Sequence, residues 1–158
     1  MTYIPFRLRV YDALCAALLA RFSAELVAVG QPPVPESAFE ARHPLLISSE
    51  NIGTIYVNTE RELQAKYWVE TGYNYEIQMY AFGTSTPAIQ RRVMYMEYAA
   101  TQVLDADRTL GGILRGMTIG TSDPAPITAR NTGHIVDGII LPVRCEPAVR
   151  ISVPERRS

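Results

Sequence analysis

The chain has 158 residues, 47% hydrophobic and 20% charged, with a formal net charge of −1. That length predicts one domain, and that balance excludes general disorder and a global field that would draw the chain to nucleic acid or an anionic membrane. No stretch approaches the roughly 18 apolar residues of a membrane span; the best, Leu14–Ala20, is closed by Arg21.

Residues 6–29 read as a first helix, with Val10, Leu14, Ala17, Leu18 and Phe22 recurring at three- and four-residue steps. Arg7 and Arg9 before an apolar stretch imitate a signal peptide. Asp12 interrupts that stretch, however, and Arg21, Phe22 and Glu25 stand where small cleavage-site residues belong. A mature amphipathic helix of a cytosolic protein is expected. Gly30 is a natural stop, and Pro32, Pro33 and Pro35 forbid continuation, so 30–44 is expected to be a long Pro-rich connection.

Short strands are expected at Leu45–Ser48 and Ile52–Asn58 around a turn near Ser49–Asn51, with another turn at Glu60–Glu62. Gln64–Glu70 is rich in β-formers, and Gly72 marks the next turn. Tyr73–Phe82 then alternates, with Tyr73, Tyr75, Ile77, Met79 and Ala81 against Asn74, Glu76, Gln78 and Tyr80, which is the strongest strand signal in the chain. The two runs predict an antiparallel hairpin turning at Gly72.

Thr86-Pro87 opens the second helix, with threonine as cap and proline in the first turn. Ile89, Val93, Met96, Ala100 and Val103 form its apolar stripe, and Gly111-Gly112 ends the section. Ile113–Ile119 is an expected strand and 120–133 a long loop, a length that is often functional or disordered. Ile135–Leu141 and Val143–Val153 are expected strands, broken at Pro142 and Pro147, where proline suggests edges or bulges. The tail 154–158 is expected to fray. The order of elements predicts a single α/β (α+β) domain over 1–158: a mixed, mainly antiparallel sheet with two helices packed on one face. The other sheet face must then meet solvent or another subunit.

Catalytic chemistry finds little support. His43 precedes a proline and His134 follows Gly133, and neither has a Cys, Asp or second His at ligand spacing. No Gly-x-Ser-x-Gly elbow occurs. Gly111-Gly112-x-x-x-Gly116 follows a helix instead of leading into one, so it reads as a helix-ending turn and not a phosphate loop. The carboxylate pairs Glu60/Glu62 and Asp105/Asp107 lie beside Arg61 and Arg108, which fits a solvated helix end or inter-subunit salt bridges better than acid–base work. Cys15 and Cys145 read as small buried apolar residues. Lys66 is the sole lysine; arginine suits planar pairing at interfaces, and genomic base composition produces the same bias.

Nine tyrosines are the most distinctive feature, several of them between Tyr67 and Tyr98. Aromatics on a sheet can stack single-stranded bases. Here Lys66, Arg91 and Arg92 are offset by Glu70, Glu76 and Glu97, so core and protein-interface use is the stronger reading, and no specific nucleic-acid binding is expected.

The sequence resembles the tail-terminator (tail-completion) proteins of long-tailed bacteriophages and related prophage elements. The resemblance lies in the helix Arg7–Val29, a strand cluster and the alternating strand Tyr73–Phe82. It continues through a second helix Thr86–Leu104 running into Asp107-Arg108-Thr109-Leu110-Gly111-Gly112, the strand Ile113–Ile119 and further C-terminal strands. It implies a hexameric ring on the finished tail tube, which stops polymerisation and presents a surface to head-completion proteins. The subunit would be a sandwich of sheet and two helices, without catalytic residue, metal or cofactor, assembled in the host cytoplasm and located in the virion. Head–tail connector or stopper proteins of the neck share this size and composition and are the alternative. Charged residues expected at subunit contacts are Asp105, Asp107, Arg108, Arg115, Asp123 and Arg130; the 120–133 loop is expected to be mobile in the free subunit and to order against the tube or a neighbour.

Overall fold

Every fourth residue of the first helix falls on one buried line: Phe6, Val10, Leu14, Leu18, Phe22 and Leu26 are all buried. A four-residue step overshoots one helical turn by about 40°, so this row winds obliquely across the helix as a ridge. The helix, α1 (Phe6–Ala28), belongs to a computed structural model of the chain that describes residues 4–42, 47–125 and 135–154. Its end is a Schellman turn. The Gly30 amide donates to Val27 O at 3.0 Å and the Gln31 amide to Leu26 O at 2.9 Å, with Gly30 at φ 78°.

A short 3₁₀ turn (Glu36–Ala38) leads towards a long hairpin of β1 (Asn51–Gln64) and β2 (Tyr67–Gly83). Then follow α2 (Thr86–Ala106), β3 (Leu114–Ile119), the two-residue β4 (Asp123–Pro124), β5 (Ile135–Pro147) and β6 (Ile151–Pro154). The sheet order is β1-β2-β5-β3, with β4 against β5 and β6 against β2, and all of these pairings are antiparallel. The α+β class and the two helices on one face stand as expected. The sheet is not mixed: β2 and β3 run the same way but β5 lies between them, antiparallel to both.

Tyr73, Tyr75, Ile77, Met79 and Ala81 of β2 and Leu141, Val143 and Cys145 of β5 face the helices in one core with the α1 row and Ile89, Val93, Met96, Ala100 and Val103 of α2. The Phe6 and Tyr73 rings pack 5.6 Å apart, and the Tyr75 hydroxyl donates to Arg7 O at 2.5 Å, tying the start of α1 to the sheet. Burial pushes the Tyr75 phenol well above its usual range and the Cys145 thiol up to about 12.

Several sequence expectations are corrected. The hairpin turns at Ala65-Lys66, not at Gly72, because Gln64 pairs with Tyr67 and the ladder runs on through Glu60↔Gly72. Glu60–Glu62 therefore lies inside β1. Gly72 serves a different need: a Cβ there would stand 2.6 Å from Glu60 Oε2 and 2.8 Å from Arg144 Nη2, so glycine leaves room for an ion pair that crosses over the backbone. Ser85, not Thr86, precedes the second helix, and it makes no side-chain cap bond. β5 runs unbroken through Pro142, which pairs with Glu76. Pro142 O accepts from the Gly120 amide at 2.9 Å, so its nitrogen faces the gap between β3 and β4, where no ladder bond is lost. Ile47–Ser48 is not strand; the rest of that expected strand, His43, His134, most of the 120–133 loop and residues 155–158 lie outside the described residues. Pro154, expected in the frayed tail, closes β6 against Tyr67.

The face away from the helices is divided. At one end Ile47, Tyr80, Ala125 and Val136 are buried together, with Phe82 and Ile140 packed against them. Gly138 makes this possible, since a Cβ there would meet the Tyr80 ring at 2.5 Å. The Tyr80 hydroxyl is buried there with no hydrogen-bond partner among the described residues, a cost of about 1–3 kcal/mol that the surrounding packing offsets. The other end of that face is polar and open.

Candidate functional site

The open end carries a charge lattice across three strands. Arg144 of β5 bonds Glu60 of β1 (Nε–Oε2, 2.5 Å) and Glu146 of its own strand (Nη1–Oε1, 2.6 Å), and donates to Thr71 O at 3.4 Å. Asn74 of β2 donates to Glu60 at 3.3 Å and to Asn58 at 2.8 Å. These bonds hold the Glu60 carboxyl below its usual range, Arg144 first among them, and raise Arg144 in turn. On the opposite side of β1, Arg61 pairs with Glu70 at 3.3 Å, and Glu70 accepts from the Tyr73 hydroxyl at 3.0 Å. Each charge is answered within the chain, so the lattice fastens strands together and is not a set of free acid–base groups.

Beyond this lattice the β1–β2 hairpin leaves the helices behind. Asn51–Thr54 of β1 are buried, whereas Arg61–Gln64 are exposed. β6 adds a third strand through Tyr67–Glu70. The resulting arm carries apolar side chains at its end: Leu63 is 48% exposed, Tyr67 50% and Trp68 36%. Leu63 and Trp68 are directly opposite and share a face, while Tyr67 lies on the other.

A second apolar surface lies on the outside of the helix layer. A groove of about 410 Å³ is lined by Val29, Arg91, Met94, Tyr95 and Tyr98. Met94 is 67% exposed. It adjoins the end where Arg92 of α2 pairs with Glu50 (2.6 and 3.0 Å) and reaches Gln31 past α1, so the rims are held in place.

The charged residues expected at subunit contacts do not form one surface. Arg108 pairs with Asp105 at 2.5 Å and donates to Met117 O at 3.0 Å, which fastens the end of α2 to β3. Asp107 organises the following turn: it accepts from the Thr109 amide and hydroxyl and from the Gly111 amide, and that last bond leads in holding its carboxyl below the usual range. Leu110, Gly111 and Gly112 follow at φ 46°, 73° and 91°; α2 already ends at Ala106, so the glycine doublet shapes the turn between α2 and β3 and does not itself end the helix. Asp105, Asp107 and Arg108 thus have local structural duties. Arg115 is exposed beside the register shift of β3, in an open groove with Glu70, Arg144 and Glu146. Asp123 is exposed on β4 opposite Ile140, about 20 Å along β5 from Glu146. Arg130 lies outside the described residues.

The arm and the groove were not located in the sequence: Tyr67, Trp68, Tyr95 and Tyr98 read as core and interface aromatics together, and the α2 stripe of Ile89, Val93, Met96, Ala100 and Val103 leaves the outer face with Met94 unassigned. Tyr67-Trp68 beside a two-residue Ala65-Lys66 turn was the available signal. Among the described residues no group of three or more His, Cys, Asp or Glu could hold a metal ion, and no helix is long and apolar enough to cross a membrane. Compared with known protein families and with curated proteins, the sequence matches none.

Proposed function

We propose that this chain is a structural ring subunit at the head-proximal end of a phage tail tube, where it stops tube polymerisation and offers the head-joining surface. The resemblance of its element order to tail terminators motivates the reading. The observation that carries it is the β1–β2–β6 arm, which extends past the core with Leu63, Tyr67 and Trp68 exposed at its end. An isolated subunit gains nothing from holding apolar side chains in water, and such a patch is built for contact with protein. The nucleic-acid alternative has less support: Tyr73, Tyr75 and Tyr80 are buried and cannot stack bases, and exposed Tyr67 and Trp68 lie on opposite faces of the arm.

Size-exclusion chromatography with light scattering tests the reading, followed by addition to polymerising tail tubes. The expected result is a closed oligomer of about six times the 17.6 kDa subunit mass that binds one tube end and halts growth. A chain that stays monomeric and leaves tube growth unchanged overturns it. An oligomer that ignores tubes but binds the head vertex reassigns the chain to the connectors or stoppers of the neck.

A further inference from the structure

We infer that the tip of the arm of one subunit seats in the α1–α2 groove of the next, and that this head-to-tail contact is the one that builds the ring; the inference rests on the proposed function and deepens it. Two observations carry it. The first is that the molecule has an apolar projection and an apolar recess that stand apart. The tip is at Tyr67, while the groove lies on the outside of the helix layer between Val29 and Tyr98. Tyr67 and Gly83 are sixteen strand steps, roughly 50 Å, apart, and Met94 of α2 is within roughly 25 Å of Gly83 along the chain, so a subunit cannot fill its own groove.

The second observation is charge. Arg91 in the groove has no ion-pair or hydrogen-bond partner among the described residues. An apolar occupant would strip water from that guanidinium, which costs several kcal/mol unless a carboxylate arrives with it. The arm brings one. Glu60 and Arg61 are committed to Arg144 and Glu70, but Glu62, on the same face of the arm as exposed Tyr67, has no partner among the described residues. Lys66 at the turn stays in water beyond the contact. A second copy of the chain therefore offers what the groove lacks, an exposed aromatic side chain, Tyr67, with a free carboxylate on the same face. Because tip and groove are different patches, the contact is heterologous and leads to a closed ring or an open filament, never to a two-fold dimer.

Charge exchange and subunit mixing test this on the full chain. Glu62→Arg and Arg91→Glu, both at exposed positions, are each expected to shift assembly to at least about tenfold higher concentration, and the double variant to restore it. Tyr67→Asp removes the tip and Met94→Glu the groove, so each alone runs as a monomer. Mixed together they form a one-to-one dimer and nothing larger, since one good tip and one good groove remain. An oligomer that ignores all four substitutions overturns the contact and leaves the ring reading standing. A wild-type monomer at every concentration overturns both. Arm variants that keep their oligomer but lose tail tubes assign the tip to the tube protein instead, and overturn the contact as well.

Discussion

The two halves of the β1–β2 hairpin share one continuous ladder and are held by different forces. In the half over the core, Ile52, Ile77 and Met79 are almost wholly buried, and burial of each such side chain contributes about 1.5–3 kcal/mol. In the arm Arg61–Gln64, Tyr67 and Trp68 are exposed and only Val69 and Glu70 among the described residues are buried, so what remains is chiefly the backbone ladder, the bordering strand β6 and the ion pairs of Glu60, Arg61, Glu70 and Arg144. The Glu60–Arg144 pair, open to solvent on both sides, contributes about 0–1 kcal/mol. The contrast teaches that strand continuity does not imply uniform stability: the arm is the half that can adapt to a partner, and the core half is the base that aims it.

The largest effect that sharpens this contrast is a truncation on each side. Ile77→Ala is expected to destabilise by about 2–5 kcal/mol, while Leu63→Ala changes the stability of the free subunit by under about 0.5 kcal/mol; urea denaturation at a concentration where the chain is monomeric measures both. A glycine pair gives the next. Gly138→Ala drives a Cβ to 2.5 Å from the rigid Tyr80 ring and 2.9 Å from Met79 O, so a loss of about 1–3 kcal/mol is expected. Gly72→Ala meets only the ends of the Glu60 and Arg144 side chains, which can swing aside, and its loss should stay below about 1 kcal/mol. Equal losses at the two glycines would mean that the arm is packed as rigidly as the core.

A third substitution acts on the arm alone. Ala65 opens the two-residue turn at φ 54°, a conformation in which its Cβ is strained. Ala65→Gly relieves that strain at the cost of a looser unfolded chain, and a net gain of about 0.5 kcal/mol is expected in the same denaturation assay. No gain would mean that the turn holds its shape without strain.

How much of this was legible in the sequence follows the same division. Period two made Tyr73–Phe82 a strand because a packed face alternates, and the helical stripes of α2 held for the same reason. Turn placement failed where glycine had another purpose. Gly72 was read as a turn when its missing Cβ makes room for a side-chain pair 84 residues apart in sequence, which no local pattern records. Pro142 was read as a strand break because its tolerance depends on the gap opposite between β3 and β4. The expected contact residues Asp105, Asp107 and Arg108 turned out to be spent on their own turn, since a charge in sequence does not reveal whether its partner lies three residues away. The arm's exposed aromatic residues were hidden because Tyr67 and Trp68 look like core until the helices are seen to stop short of them.

The smallest expected effect concerns pH and isolates the lattice at the base of the arm. Glu60 is held below the usual carboxylate range chiefly by Arg144. Its stabilisation is therefore complete above the ordinary glutamate value, near pH 4.3, and is lost as the pH falls through the lowered one. Its side chain is 45% exposed, so solvent screening limits the contribution to about 0.5 kcal/mol at pH 7. Glu60→Gln removes that charge but keeps a hydrogen-bonding group. The variant should be slightly less stable than the wild type at pH 7, and the gap should close as the pH falls through the lowered Glu60 value and Glu60 itself takes up a proton. High salt at pH 7 should narrow the gap in the same direction. A gap that stays constant from pH 7 to pH 3 would show that Glu60 works by shape and hydrogen bonding alone, and the arm would then be anchored by its ladder and not by charge.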